Sequence, residues 1–123
     1  MSTISTQSHH SLKKDLANLY NRVNQDIYGV GVKKQRIETL DDRVIIFAQH
    51  KRVQALRMLS KNFQHLTISV DSALITEFKS LFKGQIESTL QLKVKTILKD
   101  YDPFTEEACT IIYFGEYLNK KHS

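Results

Sequence analysis

Hydrophobic residues in the first quarter of the chain recur with the spacing of one helical face. They are Leu12, Leu16, Leu19, Tyr20, Val23 and Ile27. This spacing predicts an amphipathic helix from about Ser11 to Tyr28, because positions three, four and seven residues apart share one side of a helix. The Ser11 hydroxyl can cap the helix, and Gly29 and Gly31 can end it. Residues 1–10 are polar and predict a disordered N-terminal tail.

Two short segments of strand-forming residues follow this helix. Val32–Leu40 is charged, whereas Arg43–Gln49 is rich in β-branched residues. Asp41 and Asp42 lie between the two segments, and aspartates favour tight turns. Together these features predict a β-hairpin whose charged first strand lies at a sheet edge or faces solvent.

A second hairpin is predicted near the end of the chain. In Leu92–Tyr101, apolar residues and lysines alternate, which predicts a half-buried strand with a wet, basic face. The inward face would contain Leu92, Val94, Thr96 and Leu98, and the outward face Lys93, Lys95, Ile97 and Lys99. Ala108–Phe114 is almost continuously apolar and predicts a central strand.

Two helices are predicted between the hairpins. The first covers Lys51 to Leu66, and the second begins at Asp71 or Ser72 as a cap and continues to about Gln91. Gly84 lies inside the second helix, where glycine costs about 1 kcal/mol relative to alanine. We therefore expect a neighbouring element to pack closely against Gly84.

The elements define an α+β fold in the order α-β-β-α-α-β-β. Two β-hairpins form a four-stranded sheet with the helices packed on one face. Residues 11–117 form a single domain of ordinary size. Residues 118–123 are predicted to be a basic C-terminal tail.

Positive charge is concentrated between residues 51 and 70. The chain carries a formal net charge of +5, and this segment contains basic residues but no acidic one. A helix here would align a basic stripe opposite its apolar side. Such a stripe is either a solvated helix face or a binding surface for an anionic partner. The candidate residues for binding an anionic partner are Lys51, Arg52, Arg57, Lys61 and His65.

No catalytic, cofactor-binding or metal-binding pattern is evident in the sequence. The five histidines have no zinc-type spacing with Cys109 or with paired carboxylates. The acidic loop Asp100–Glu107 is the one segment that offers a candidate acid or base, and its spacing is not that of a calcium loop. We therefore expect a protein that is not an enzyme and has no cofactor.

The cellular compartment is predicted from cysteine content and hydrophobicity. A single cysteine excludes an intramolecular disulfide and is typical of a reducing compartment. No apolar run approaches the roughly 20 residues that a membrane-spanning helix requires. These features predict a cytoplasmic protein.

The order of these segments resembles that of the MpsC-like family, whose members are linked to a bacterial sodium-translocating, membrane-potential-generating system. The resemblance covers roughly Leu12 to Phe114. It rests on the helix ending in Gly29-Val30-Gly31-Val32, the turn Asp41-Asp42, the strand Arg43-Val44-Ile45-Ile46-Phe47, the long helix, the strand Leu92 to Leu98, the acidic loop and the strand Cys109 to Phe114. The chain departs from the family at Val32, where proline is usual.

The resemblance implies a non-catalytic cytosolic accessory or regulatory protein that acts through protein contacts. No catalytic residue carries over from the family. An apolar surplus at the sheet and helix edges predicts a homodimer, since symmetric dimers are the commonest oligomers. A protein of the membrane system is the further partner that the resemblance implies. The alternative is a nucleic-acid or anionic-surface binding protein that uses the basic helix 51–66.

Overall fold

The computed structural model of this chain describes residues 6–116 and 118. Within these residues, helices and strands follow one another in the order α-β-β-α-α-β-β. Their bounds are α1 Thr6–Tyr28, β1 Lys34–Leu40, β2 Arg43–Gln49, α2 Gln54–Leu59, α3 Gln64–Leu90, β3 Thr96–Asp102 and β4 Glu107–Tyr113. The predicted α+β class and element order are confirmed.

The four strands form one antiparallel sheet in the order β1-β2-β4-β3. The last strand is therefore central, as predicted, and β1 and β3 are the edges. β2 has the predicted bounds, and the first hairpin turns at Asp41 and Asp42. Asp41 has a φ of 54°, a left-handed conformation that aspartate tolerates in turns.

The hydrophobic core lies between the sheet and the two long helices. The predicted α1 stripe is buried from Leu12 to Val23, and Ile27 packs against the cluster. The rest of the core comes from α3, β2 and β4. The fully buried apolar side chains of these three elements are Phe78, Phe82, Ile86, Val44, Ile46 and Ile112. Both long helices thus cover the same face of the sheet.

The ends of the domain differ from the prediction. α1 begins at Thr6, earlier than the predicted Ser11, so part of the predicted tail 1–10 is helical. Leu118, which the prediction placed in the C-terminal tail, is 1% exposed and belongs to the hydrophobic core. Its backbone N–H donates to the Asp41 carbonyl at 2.8 Å. Residues 1–5, 117 and 119–123 lie outside the described part of the chain.

The predicted single helix from Lys51 to Leu66 is wrong. Residues 50–53 form a non-helical segment, α2 is only six residues long, and α3 begins at Gln64. Backbone hydrogen bonds to Glu106 hold this segment out of a helix. The His50 N–H donates to the Glu106 carbonyl at 3.0 Å, and the Arg52 N–H donates to the Glu106 carboxylate at 2.7 Å.

α3 is a longer helix than the sequence indicates. Asp71 and Ser72, the predicted caps, lie in its interior, and it ends where Gln91 adopts a left-handed φ of 57°. Gly84 has open space beside it, because a Cβ at that position would meet no atom within 4 Å. The close packing predicted at Gly84 is therefore wrong.

The side chains of β3 alternate in the opposite phase to the prediction. The Lys95 N–H donates to the Tyr113 carbonyl at 2.7 Å, and Tyr113 is also the paired residue of Thr96. Two residues thus lie opposite one, the arrangement of a β-bulge, and the inward and outward faces exchange beyond it. Lys99 therefore faces the helices, and Leu98 is exposed on the other side.

Candidate functional site

The side chain of Lys99 extends from β3 into an aromatic part of the core. Its Nζ lies 3.6 Å from the centroid of the Phe78 ring on α3. The rings of Tyr20 and Tyr28 on α1 lie at 5.3 and 5.9 Å from the same atom. Among the described residues, Lys99 forms no salt bridge and its Nζ donates no hydrogen bond. Cation–π contacts are therefore the main attraction on its ammonium group.

His50 follows β2, and its ring lies 5.5 Å from that of Tyr20, measured between centroids. Its Nε2 is 2.7 Å from the Tyr20 hydroxyl, and the Tyr101 hydroxyl donates to the His50 carbonyl at 3.0 Å. The His50 and Tyr101 rings meet edge to face, with an interplanar angle of 88°. Contacts from α1 and β3 thus fix both the backbone and the imidazole of His50.

Arg52 and Asp71 form a nearly buried ion pair beside Lys99. Two guanidinium nitrogens of Arg52 donate to the two carboxylate oxygens of Asp71 at 2.7 and 3.0 Å. The Arg52 side chain is only 6% exposed. Because this paired geometry engages both oxygens of the Asp71 carboxylate, its negative charge is not free to balance that of Lys99.

Burial determines the charge of the groups in this region. It lowers the pKa of Lys99 to about 7. It also lowers the pKa of His50 to about 4, and the nearby Lys99 charge adds to this lowering. Burial raises the pKa of Tyr28 and that of Tyr101 to about 12 each. At neutral pH the imidazole and both phenols are therefore uncharged, whereas Lys99 is close to its titration point.

A cavity of about 40 Å³ opens beside these groups. Its polar side is lined by Lys99, His50, Lys51, Tyr28, Tyr101 and the Arg52–Asp71 pair. Val30, Val53, Leu56 and Ile75 line its apolar side. Within the described residues, no three potential metal ligands cluster together. Among the described residues, the cavity therefore combines two basic side chains that form no salt bridge, the partly buried Lys99 and the exposed Lys51, with an apolar wall.

The structure separates the five residues predicted to bind an anionic partner. Lys51 and Arg52 lie at the cavity. Arg57, on α2, donates to the Glu106 carboxylate at 3.1 Å. Lys61 is exposed in the turn before α3, and His65 is exposed in its first turn. Because helix 51–66 is not continuous, these side chains do not form the predicted stripe.

Sequence reasoning missed Lys99 as a site residue because it placed this lysine on the solvent face of its strand. The signal that was available is the inward series Ile97, Lys99 and Tyr101, whose period of two begins only after the bulge. Nothing in the local sequence marks the bulge itself, since neither Lys95 nor Thr96 is a glycine.

The second notable surface is the face of the sheet opposite the helices, which we call the open face. Its centre is apolar: Ile45 pairs with Ile111, which pairs with Leu98, and Phe47 pairs with Cys109. Phe47 is 38% exposed and Leu98 is 49% exposed. Large exposed apolar areas on a folded protein commonly mark contact surfaces.

Charges of opposite sign lie at the two edges of the open face. The strand register places Arg36, Phe47, Cys109 and Asp100 in one row across the sheet. The next row contains Lys34, Gln49, Glu107 and Asp102. At this end of the sheet, edge strand β1 is therefore basic and edge strand β3 is acidic. Farther along β1, Glu38 makes a solvent-exposed ion pair with Arg36 at 3.7 Å.

A comparison with protein-family models identifies the chain. The model described as Na+-translocating membrane potential-generating system (MpsC) matches residues 8–116. The chain belongs to the MpsC family. The match confirms the resemblance inferred from the segment order. No curated protein and no solved structure is significantly similar to the chain.

The MpsC match includes every strand and almost all of the helical residues described above. The cavity beside Lys99 and the open face both lie within residues 8–116. Among the described residues of this MpsC chain, no helix is long and apolar enough to span a bilayer.

Proposed function

We propose that this MpsC chain is a non-catalytic accessory or regulatory protein of the cytosol that acts through protein contacts, and that it forms a homodimer through its open face. The description of its family, a Na+-translocating membrane potential-generating system, supports a role beside a membrane system. The observation that carries the dimer is the distribution of charge at the edges of the open face.

The apolar centre of the open face supplies the driving force for association. Removing apolar surface from water contributes about 25 cal/mol per Å². Two sheets that pack face to face interdigitate such side chains and keep their strands within about 30° of each other. Ile45, Phe47, Leu98 and Ile111 have the positions that such a packing requires.

The charged edges select one orientation of the second copy. A twofold axis parallel to the strands places β1 of one copy over β3 of the other. Arg36 then lies opposite the partner's Asp100, and Lys34 lies opposite the partner's Asp102. A twofold axis perpendicular to the strands, by contrast, places Asp100 opposite an apolar position of the partner. Asp100 and Asp102 then both lack a positive charge opposite them. Charge complementarity of this kind sets the orientation of an interface more than its strength.

The alternative, binding of nucleic acid or an anionic surface by residues 51–66, has less support. Arg52 is engaged by Asp71, and Arg57 is engaged by Glu106. Binding of phosphates would have to compete with both carboxylates, and the remaining residues do not share a helix face. Salt-dependent binding of a duplex or single strand is the test of this alternative.

The dimer is tested by exchanging the charges of one row. Size-exclusion chromatography with light scattering at tens of micromolar protein should show a dimer for the unmodified chain. Arg36→Glu and Asp100→Arg should each weaken the dimer by about tenfold or more, since each places like charges opposite one another. The double variant should regain it, and an equimolar mixture of the two single variants should form a heterodimer.

Matched controls separate this arrangement from other dimers. Ile68→Glu changes an exposed apolar side chain on α3, away from the open face, and should leave the dimer intact. Circular dichroism establishes that each variant is folded. A strictly monomeric unmodified chain contradicts the proposal, and so does a double variant that stays monomeric. Dissociation by Ile68→Glu alone would assign the contact to α3.

A further inference from the structure

The ammonium group of Lys99 lies at the cavity and forms no salt bridge with any residue that the structure describes. Burying a charge is unfavourable unless an ion or hydrogen-bonding group compensates it. Aromatic rings offer part of that compensation, and the described residues provide no carboxylate for it. An anion that entered the cavity would supply the missing counter-charge.

Most other polar groups around the cavity are already engaged. Arg52 is bound by Asp71, Nε2 of His50 by the Tyr20 hydroxyl, and the Tyr101 hydroxyl by the His50 carbonyl. The Tyr28 hydroxyl has no hydrogen bond to another described residue, and its raised pKa keeps its proton in place. Among the described residues, the partly buried donors of the cavity are thus Lys99 and Tyr28, whereas Lys51, which also lines it, is exposed to water.

Two partly buried donors, one of them positively charged, suit a carboxylate. A carboxylate has one negative charge and two oxygens, so the pair of donors can satisfy it. A phosphate dianion carries more charge than Lys99 alone can neutralise, the second cation of the wall, Lys51, is exposed to water, and the Asp71 carboxylate in the same wall would oppose the dianion. The polar side of the cavity therefore favours a monoanion.

The size and the apolar wall restrict the rest of the ligand. The cavity has a volume of about 40 Å³. On the same scale a single water molecule needs roughly 10–15 Å³, so the cavity has room for about three waters. A carboxylate with a short alkyl group has a similar size. Leu56 and Ile75 offer an apolar surface for that alkyl group.

We propose that the cavity binds a short-chain monocarboxylate, whose oxygens accept hydrogen bonds from Lys99 Nζ and the Tyr28 hydroxyl and whose alkyl group lies against Leu56 and Ile75. The cavity lies on the helix-covered side of the sheet, whereas the proposed dimer uses the open face. Carboxylate binding and dimerisation can therefore succeed or fail independently.

Carboxylate binding in this cavity is coupled to proton uptake. Lys99 is partly deprotonated near neutral pH, and a bound carboxylate favours its charged form, so the pKa of Lys99 rises on binding. The affinity consequently falls above pH 7, by at most about tenfold per pH unit for one linked proton. The other titratable or charged groups that face Lys99 are Tyr20 and Tyr28 of α1, His50, Lys51 and Arg52 of the connecting segment, Asp71 of α3 and Tyr101 of β3.

The test uses propionate as the probe. Titration calorimetry at pH 6.5 and pH 8.5, in buffers of different ionisation heat, measures both affinity and proton uptake. NMR of 13C-labelled lysine measures the pKa of Lys99 with and without propionate. We expect binding at pH 6.5, weaker binding with proton uptake at pH 8.5, and a higher Lys99 pKa in the complex.

Two variants and a control make the assignment specific. Lys99→Met keeps the length and apolar stem of the side chain, suits its apolar surroundings, and should abolish binding. Tyr28→Phe should weaken binding several-fold. Lys93→Met removes an exposed lysine from the same segment and should leave binding unchanged. The proposal is overturned if the Lys99→Met protein binds propionate as tightly as the unmodified chain. It is also overturned if the pKa of Lys99 is unchanged at a saturating propionate concentration, or at 50 mM where no saturation is reached.

Discussion

The Tyr20 hydroxyl on α1 lies 2.7 Å from Nε2 of His50, a residue thirty positions further along the chain. This hydrogen bond joins the first helix to the end of β2. Burial and the Lys99 charge lower the pKa of His50, and burial also raises the pKa of Tyr20. Both groups are therefore uncharged at neutral pH, and the folded state depends on a neutral imidazole.

The first prediction concerns stability in mild acid. The pKa of His50 is about 4 in the folded chain and 6.5 ordinarily, so between these pH values the unfolded state takes up a proton that the folded state does not. The free energy of unfolding should therefore fall as pH decreases from 6.5 to 4, by up to about 1.4 kcal/mol per pH unit from this group. Urea unfolding at a series of pH values measures it.

Histidine variants isolate this contribution from that of the carboxylates. His50→Gln should flatten the pH profile between 4 and 6.5. His65→Gln, at an exposed position, should keep the slope of the unmodified chain. If the two variants have the same slope, the imidazole of His50 is not held neutral by burial.

The second prediction concerns Lys99 at alkaline pH. Its pKa is about 7 in the folded chain and 10.5 ordinarily, so folding excludes a proton between these values. Stability from this group should rise with pH from 7 to 10.5, by roughly 1.4 kcal/mol per pH unit, because the unfolded state binds more protons there. Lys99→Met should be more stable than the unmodified chain at pH 7 and should lose this rise.

Thermal and urea unfolding at pH 7 and pH 10 compare the variants. Lys93→Met provides the control, because Lys93 is exposed and its removal should change neither the stability nor the pH profile appreciably. A Lys99→Met protein that is less stable at pH 7 would mean that the cation–π contacts outweigh the cost of burying the ammonium.

The third prediction distinguishes two arginines of the basic segment. Arg52→Met should lower the free energy of unfolding by about 3 kcal/mol, because it leaves Asp71 without a partner in a mostly buried position. Arg57→Met should cost less than about 1 kcal/mol, since the Arg57 side chain is 51% exposed. A double-mutant cycle with Asp71→Asn measures the coupling. Equal effects of the two arginine variants would contradict the structural role of Arg52.

The fourth prediction uses Cys109 as a reporter of the open face. This residue is the one cysteine of the chain and lies between Phe47 and Asp100 in a row of the sheet. A face-to-face dimer should shield its thiol, so its reaction with a bulky maleimide should slow as the protein concentration increases. The modified protein should be monomeric in light scattering. A reaction rate that does not depend on concentration argues against the face-to-face arrangement.

The fifth prediction concerns two glycines in different conformations. Gly84→Ala should raise the free energy of unfolding by up to about 1 kcal/mol, because alanine is a better helix former and the added Cβ meets no neighbour. Gly29→Ala should lower it, since Gly29 has a φ of 78°, which strains an L-residue. Urea unfolding of both variants checks the opposite signs.

The elements that could be predicted from the sequence are those with an uninterrupted period. The α1 stripe continues over four helical turns, and β2 combines β-branched residues with an aspartate turn, so both were located closely. The order of helices and strands followed, and with it a four-stranded sheet built from two hairpins. The spacing of hydrophobic residues predicts which side chains are buried when the helix or strand has an unbroken period, as α1 and β2 do.

The parts that could not be predicted depend on contacts between distant residues. The break at residues 50–53 is maintained by Glu106, more than fifty positions away. No glycine or proline marks that break, so a continuous helix fitted the sequence. The position of Lys99 depends on how β3 aligns with Tyr113 of β4. The candidate cavity was missed because both of these long-range contacts shape it.

The extra residue opposite Tyr113 also bears on how a change in chain length would act on this fold. Neither Lys95 nor Thr96 lines the cavity, so substitutions there leave its walls unchanged. Deleting either one would remove the bulge and restore simple alternation from Val94, so Ile97 and Lys99 would keep their inward positions. If both residues stayed and each had a separate partner on β4, Leu98 and Asp100 would face the helices, and Lys99 would point to water. Whether this strand presents its lysine to the interior thus depends on how many residues lie opposite Tyr113, not on residue type.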